Sequence, residues 1–466
     1  MDIEFSIAGI LDKYPRVKNN YQVHLWNTVD KNHGILFLSD NSIAETIVHE
    51  IAIALRLMTG QLNCSQVITE MANTIGMECC DAEIVIKAIL EQFISEGVVE
   101  LSFTPLPQRH FSLPLKSPYQ LKTMQLQLTN KCNMSCVHCY AVSGSPLPNE
   151  MTTNVVFDLI DEFVDLGGCR LFLTGGETLM YKNLDAVICY AKSRHLFVYL
   201  STNGFAITEE RVDQLVKLGV GSVNVSIDGD NDETHDRFRG KQGGFQKALK
   251  ALKLFSDKGI PCGSQTTLFK KNLTQSVNIF NTMHSLGVRY CFFVRMMPQG
   301  RGKAHTDLIP TLEEYRFARE NEYLNRRLNH GMDVYPKRLR QGTIGKRCSA
   351  GVSQIYVQAD GCCYPCPSLE IQELSFGKYP ESSLSEIWNT QREAINELRM
   401  FDQKRILYCK GCEHNDICKG GCAGNAQHIT GNWRNHDPHF CITMDIRKRV
   451  QQLTPEICTR CKLPPK

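Results

Sequence analysis

Apolar and polar positions along the chain change rhythm twice, dividing it into three regions. In the first, YQVHLWN and GILFLSD have strand-like apolar content and precede three stretches with helical spacing. Ser42 with Glu45 has capping-box spacing and predicts a helix running to Gly60. Asn63 with Gln66 opens a second helix and Asp81 a third, in which Ile86, Ile89, Leu90, Phe93 and Ile94 share one apolar face before Gly97 ends it. Residues 1–103 therefore predict a small winged-helix-like module. Pro105, Pro107, Pro114 and Pro118 disfavour regular structure and mark 104–121 as a linker.

Over residues 122–305 strand-like runs alternate with amphipathic helices. Strands are predicted at MQLQL, RLFLT, LFVYLS, SVNVSI, SQTTLF and YCFFVR. The helix near Val155 gathers Val155, Val156, Leu159, Ile160, Phe163 and Val164 on one face before Gly167. Repeated units of this kind build an α/β fold with a parallel sheet or barrel, whose chemistry sits in loops at the C-terminal ends of the strands. After a bridging segment, 306–347, the alternation fades and cysteines crowd together over 348–445. That region predicts a small domain organised by metal, and 446–466 reads as a C-terminal tail.

Composition alters this picture at one residue type. With 42% hydrophobic and 22% charged residues and a net charge of +3, the chain has the balance of a globular protein without basic blocks. Neither nucleic acid nor a membrane is an expected partner. The N-terminal MDIEFSIAGILDKYPRVKNN lacks the parts of a signal peptide, and the most apolar run, around Ile51 to Met58, is broken by Arg56. The expected location is the cytoplasm. Thiols stay reduced there, so 21 cysteines point to metal or cluster binding and away from a disulfide framework. Cys64, Cys169, Cys189 and Cys262 stand singly and read as small buried core residues.

The first strand of the second region runs into TNKCNMSCVHCY, so Cys132, Cys136 and Cys139 are spaced C-x3-C-x2-C on a loop at the chemically active end. Three thiolates from one short loop suit an iron–sulfur cluster better than structural zinc, which closes its tetrahedron with four ligands. One iron would stay open. The spacing resembles the signature of the radical S-adenosylmethionine superfamily, and further segments follow in that family's order. TGGET after the second strand, with Gly175, Gly176 and Glu177, is similar to the family's GGE motif, which receives the amino group of the cofactor's methionine; Thr178 stands where proline is usual. STNG and NVSIDG resemble segments that line the ribose and the methionine carboxylate, which assigns Asn203, Ser226 and Asp228 to the cofactor. Arg237 in THDRFRG becomes a candidate carboxylate partner, while turn roles compete at Asn203–Gly204 and Asp228–Gly229. The resemblance implies a partial (β/α)6 barrel of TIM type, S-adenosylmethionine, one radical 4Fe-4S cluster and an electron donor of flavodoxin or ferredoxin type.

Downstream, CSAGVSQIYVQADGCCYPC reads as a hairpin with a ligand at each end, Cys348 and Cys366. CKGCEHNDICKGGC adds Cys409, Cys412, Cys418 and Cys422, and Cys441 follows. A lone C-x2-C pair would suggest a zinc knuckle. The seven together resemble the SPASM domain, which implies two auxiliary iron–sulfur clusters: an outer one on Cys409, Cys412, Cys418 and Cys441, and an inner one on Cys348, Cys366 and Cys422. The inner cluster's fourth ligand is open among Cys362 or Cys363, the pair Cys458 and Cys461, and a substrate thiolate.

The N-terminal module resembles the PqqD-like recognition element of enzymes that mature ribosomally made peptides. It implies a precursor peptide as partner, its leader added as a strand to an exposed edge. A DNA-binding winged helix is the competing reading, disfavoured by the segment's weak basic character. Module, barrel and SPASM domain together resemble the sactipeptide and related thioether-forming maturases, which implies a crosslink from a cysteine sulfur to an acceptor-residue carbon. Other radical outcomes stay open: a carbon–carbon or carbon–oxygen crosslink, epimerisation, or sulfatase-type oxidation of cysteine or serine. A redox-sensing DNA-binding regulator belongs to another class, and the intact GGE segment argues against it. No catalytic acid or base can be assigned before the substrate is placed.

Overall fold

The structure is a computed structural model that describes residues 10–18, 21–27, 32–38, 44–108, 119, 121–332, 348–401, 407–414 and 418–453. It divides into two compact units, Met1–Lys122 with Ile160–Arg170 and Ser193–Phe197, and the remainder. In the first, β1 (Tyr14–Val17) pairs antiparallel with β5 (Val99–Ser102). Strands β2 (Tyr21–Asn27), β3 (Asn32–Leu38) and β4 (Ala44–Val48) form a separate antiparallel sheet in that order. Three helices follow, α1 (His49–Leu57), α2 (Cys64–Ile75) and α3 (Cys79–Ser95). Their inward faces, including Leu55, Val67, Met71, Ile86, Leu90 and Phe93, make one buried core.

The expected start of the first helix is corrected. Residues 44–48 are strand β4, in register with His33–Phe37, and α1 begins only at His49. Thr46, Ile47 and Val48 are β-branched, and a strand partner outweighs the capping spacing in front of them. Ser42 lies outside the described residues. The second helix does have its box: the Asn63 side chain accepts from the Gln66 N–H at 2.9 Å, and the Gln66 side chain accepts from the Asn63 N–H at 2.9 Å.

All six strands expected for the second region are present: β6 (Thr123–Gln127), β7 (Arg170–Thr174), β8 (Phe197–Thr202), β9 (Ser222–Ser226), β10 (Cys262–Leu268) and β11 (Tyr290–Arg295). Between them run α4 (Thr153–Asp165), α5 (Leu184–Ser193), α6 (Glu209–Lys217), α7 (Asp232–Arg239), α8 (Gly244–Asp257) and α9 (Ser276–Ser285). This strand and helix alternation is the partial (β/α)6 barrel. Its sheet continues further than the sequence suggests. The order is β11-β10-β9-β8-β7-β6-β12-β13-β14, where β12 (Gln354–Val357), β13 (Cys362–Tyr364) and β14 (Gly377–Lys378) come from the cysteine-rich region. The expected hairpin is β12–β13, and β12 lies parallel to β6. Ile355, Tyr356 and Val357 are buried in succession, as in a strand covered on both faces.

Further α-helices are α10 (Leu312–Leu328), α11 (Leu384–Trp388), α12 (Glu393–Met400), α13 (Ala423–Thr430) and α14 (Pro438–Gln451). Regular structure thus continues past residue 445, with Ile446 and Val450 buried against Tyr323 of α10. Of the single cysteines, Cys64, Cys169 and Cys262 are buried, but Cys189 is exposed on α5, a correction to its reading as a core residue. Among the described residues no helix is long and apolar enough to cross a membrane.

Candidate active site and auxiliary cysteines

The loop after β6 carries Cys132, Cys136 and Cys139, and backbone hydrogen bonds fold it on itself. Cys132 N–H donates to Gly144 O at 2.9 Å and Gly144 N–H to Asn130 O at 3.0 Å. The Glu150 carboxylate accepts from the Asn130 N–H at 2.6 Å and from the Thr129 hydroxyl at 2.9 Å. The three thiols are close enough to feel one another's charge. Burial, then the neighbouring thiolates and Glu177, push Cys132 up to about 11; burial also raises Cys136, against the pull of Arg239.

The GGE segment after β7 packs on this loop through its backbone. Gly176 N–H donates to Thr129 O at 2.7 Å and Glu177 N–H to Lys131 O at 2.8 Å. A Cβ on Gly176 would lie 2.5 Å from Lys131 O and 2.6 Å from Asn130 O, and one on Gly175 would lie 3.0 Å from Thr129 O. Both glycines therefore serve the close approach of two protein loops. Glu177 is 1% exposed. Its carboxylate accepts from the Thr202 hydroxyl at 2.6 Å, Asn203 N–H at 2.7 Å and Leu179 N–H at 3.1 Å, so it ties the end of β7 to the end of β8. Burial raises its pKa in spite of these donors.

Asn203 takes the turn role that competed for it and also braces the cysteine loop. Its Oδ1 accepts from Phe205 N–H at 3.0 Å in a turn with Gly204 at φ +77, and its Nδ2 donates to Asn133 Oδ1 in the cysteine loop at 2.7 Å. Ser226, the last residue of β9, is half-buried.

Asp228 and Arg237 have opposite surroundings. The Asp228 side chain is fully buried and wholly engaged by protein groups. Oδ2 accepts from Arg239 Nε and Nη2, both at 2.7 Å, and Oδ1 accepts from Thr267 N–H at 2.6 Å. Burial alone would raise this carboxyl, but the Arg239 guanidinium, with His138 and His235, holds it below its ordinary range. Arg237 is exposed; on α7 the inward face is His235, Asp236, Phe238 and Arg239. Helical spacing turns position 237 outward and carries Arg239, four residues after His235, inward. Arg239 and the thiols Cys136 and Cys132 stabilise each other's charged forms. Sequence reasoning also passed over His138, between Cys136 and Cys139. Its ring stacks on Phe238 at 4.3 Å, burial pushes its pKa down to about 4, and its Nδ1 has no hydrogen-bond partner among the described residues.

In the C-terminal region the cysteines fall into two neighbourhoods. Cys366 feels the charges of Cys422 and Cys348. Cys441 is pushed up to about 12 by burial and then by Cys418, Cys409 and Cys412. Cys362 and Cys363 belong to neither: the Cys362 thiol donates to Asp360 at 3.4 Å, and Cys363 is buried in β13 beside Gly361 O. Cys458 and Cys461 lie outside the described residues. Among the described residues no three His, Cys, Asp or Glu side chains close on the position of a single metal ion. A cluster spreads its ligands around a larger body of iron and sulfide. Thiols held up by their surroundings, as at Cys132, Cys136, Cys366, Cys418, Cys422 and Cys441, fit such a centre, whose positive charge would stabilise their thiolates.

Residues 126–282 match the model of the Radical SAM superfamily, and residues 348–413 match SPASM, an iron–sulfur cluster-binding domain. The AdoMet-dependent heme synthase of Methanosarcina barkeri is 30% identical over 338 residues, which are 68% of this chain and 95% of that one. The antilisterial bacteriocin subtilosin biosynthesis protein AlbA of Bacillus subtilis is 25% identical over 377 residues, 76% and 81% of the two chains. Among solved structures, Streptococcus suis SuiB bound to its precursor peptide SuiA is similar in fold, with a TM-score of 0.67 at 14% identity over 92% of this chain and 99% of that one. S-adenosylmethionine, a radical 4Fe-4S cluster and auxiliary clusters are the cofactors these domains imply. The chain is an enzyme of the radical S-adenosylmethionine superfamily, with a SPASM iron–sulfur domain at its C-terminal side.

Proposed function

We propose that this enzyme modifies a ribosomally made precursor peptide, and that the modification is a thioether crosslink. The observation that carries the peptide reading is the N-terminal module: a three-stranded antiparallel sheet and three helices, holding none of the proposed cluster ligands. Its sheet ends in β2 and β4, and an edge strand is a surface to which an extended leader can add by backbone hydrogen bonds. Likeness of fold to SuiB, solved with a precursor peptide, extends over 92% of this chain and so supports the same reading.

Cys132, Cys136 and Cys139 would hold the radical cluster, with Gly175, Gly176, Glu177, Asn203 and Ser226 around the cofactor. Cys409, Cys412, Cys418 and Cys441 would hold the outer auxiliary cluster, and Cys348, Cys366 and Cys422 the inner one. When bound, the cluster and S-adenosylmethionine supply a 5′-deoxyadenosyl radical that removes a hydrogen atom from carbon. This chain's own part is to fix the cysteine loop through Glu150, Glu177 and Asn203, and to keep Arg239 beside Cys136. Overall, one C–H and one S–H of the peptide give one C–S bond. S-adenosylmethionine would supply the acceptor for the hydrogen atom and the auxiliary clusters the acceptor for the electron, while the proton leaves to solvent. A flavodoxin or ferredoxin would deliver the electrons for cofactor cleavage, and the expected setting is the cytoplasm.

The test is anaerobic incubation of the reconstituted enzyme with reductant, S-adenosylmethionine and a cysteine-containing precursor encoded beside it. The peptide should lose two hydrogens per crosslink, and a thiol-alkylating reagent should no longer reach the crosslinked cysteine. An unchanged peptide, with the cofactor still cleaved, would overturn the peptide reading. The heme synthase relative favours a second reading, a porphyrin substrate, although that relative is matched by only 68% of this chain. Haem formation by the isolated enzyme would select it.

A further inference from the structure

The segment MPQGRGK after β11 begins at the far end of the barrel sheet from β6, yet it returns to the cysteine loop. Arg301 N–H donates to Cys139 O at 3.0 Å. Its guanidinium donates from Nε to Cys136 O at 2.7 Å and from Nη1 to Ser143 O at 2.7 Å. Gly300, at φ +54, permits the approach: a Cβ there would lie 2.3 Å from the carbonyl oxygens of both Cys139 and Tyr140. On the other side, Gln299 Nε2 donates to Pro367 O, directly after Cys366. One tripeptide thus touches two loops that carry cluster cysteines.

We propose that Arg301 is a positioning residue for the S-adenosylmethionine-cleaving cluster, and that residues 299–301 form a clasp joining its loop to the loop of Cys366. A planar guanidinium can bridge two carbonyls at fixed spacing, which a lysine ammonium does not reproduce. The arginine joins the segment after β11 to the loop after β6, two strands that are not paired with each other. It also places a fixed positive charge beside thiolates whose cluster gains negative charge on reduction, which favours the reduced form. The inference rests on reading Cys132, Cys136 and Cys139 as cluster ligands and is independent of the substrate.

The experiment uses the full chain with all clusters reconstituted. Iron and sulfide are counted, and the electron paramagnetic resonance spectrum of the reduced enzyme is recorded with and without S-adenosylmethionine, whose binding is titrated. Arg301→Ala should retain the auxiliary clusters, weaken cofactor binding by about tenfold, as expected if the released loop holds its binding geometry about one tenth of the time, and diminish the cofactor-induced spectral change. Arg301→Lys should recover only part of both, because it returns the charge without the two-carbonyl bridge. Gln299→Ala should alter an auxiliary-cluster signal at full iron content. Should Arg301→Ala fail to fold, the lysine and Gln299 variants carry the same comparison. Affinity within twofold of the parent and an unaltered spectrum in the Arg301 variants would overturn the positioning role, and an unaltered auxiliary signal in Gln299→Ala would remove the second arm. A variant with Cys132, Cys136 and Cys139 all replaced by alanine that keeps the cofactor-induced change would instead remove the ligand reading.

Discussion

Replacing Asp228 by asparagine keeps the shape of the side chain and removes its charge from a site where Arg239 has no solvent to turn to. Asp228 is fully buried and Arg239 is 8% exposed. Two guanidinium N–H groups and the Thr267 N–H converge on the carboxylate within 2.7 Å. An amide offers one acceptor oxygen, so in either orientation its own NH2 meets a donor. Breaking a buried pair by removing one partner costs about 3–5 kcal/mol, mostly the uncompensated charge left behind. At about 2–4 °C per kcal/mol for a large domain, the midpoint of thermal unfolding should fall by roughly 6–20 °C. Far-ultraviolet circular dichroism of Asp228→Asn against the parent measures this. The double variant Asp228→Asn with Arg239→Met should lose less than the sum of the two single losses, since it strands no charge. Acid sharpens the test. The folded carboxyl lies below its ordinary value of 3.8, so the pair's contribution is complete above that value and is lost as pH falls through the folded pKa. Parent and Asp228→Asn should therefore converge in strongly acid solution. A variant within about 1 kcal/mol of the parent at neutral pH, or a difference that widens in acid, would refute the reasoning.

Three further outcomes are expected. Replacing Cys132, Cys136 and Cys139 together by alanine should abolish 5′-deoxyadenosine formation while iron remains in the C-terminal domain, which chromatography and iron analysis check together. Glu177→Gln must set an amide against the Thr202, Asn203 and Leu179 donors, at a cost of about 1–3 kcal/mol. If Glu177 also meets the cofactor's ammonium group, S-adenosylmethionine affinity should fall with cluster iron retained; loss of stability at unchanged affinity would leave it the loop tie alone. Deleting residues 1–103 should leave cofactor cleavage intact and suppress modification of full-length precursor at low peptide concentration. Hydrogen exchange should show leader protection on an edge strand and on α3 near Ile86–Phe93, and protection confined to the barrel would remove the recognition role.

The strands of the barrel were legible because each is an apolar run flanked by turn residues, and an inner parallel strand needs little more. The helix with Val156, Leu159, Ile160 and Phe163 was legible for the same reason at a different period. Failures occurred where a partner decides. The capping spacing of Ser42 and Glu45 stands before a β-branched triplet, and pairing of residues 44–48 with β3 settles the contest in favour of strand. The run at 354–357 is too short to announce that it lies beside β6, because that pairing spans more than two hundred residues of chain.

At the site, what could be read were residues whose chemistry is concentrated in a short spacing: three cysteines in one loop, two glycines before a glutamate, seven cysteines downstream. Their partners were not readable, because those arise from folding. Arg239 differs from Arg237 by two positions in THDRFRG, and only the face of α7 decides which one is buried beside Asp228. Arg301 stands in a loop after β11, five strands along the sheet from β6, whose cysteine loop it holds. Its signal, an arginine after a glycine at the end of a strand, would gain meaning only once the barrel is known to bring β11 and β6 to a common mouth. The same limit applies to Gly175 and Gly176. The motif tied them to the cofactor, and the surface that comes close to them here is the carbonyl row of Thr129, Asn130 and Lys131. A motif therefore marks a steric requirement, while the partner that imposes the requirement belongs to the fold. In this enzyme the cysteine loop imposes it on the GGE segment and again on Gly300, from two sides of one mouth.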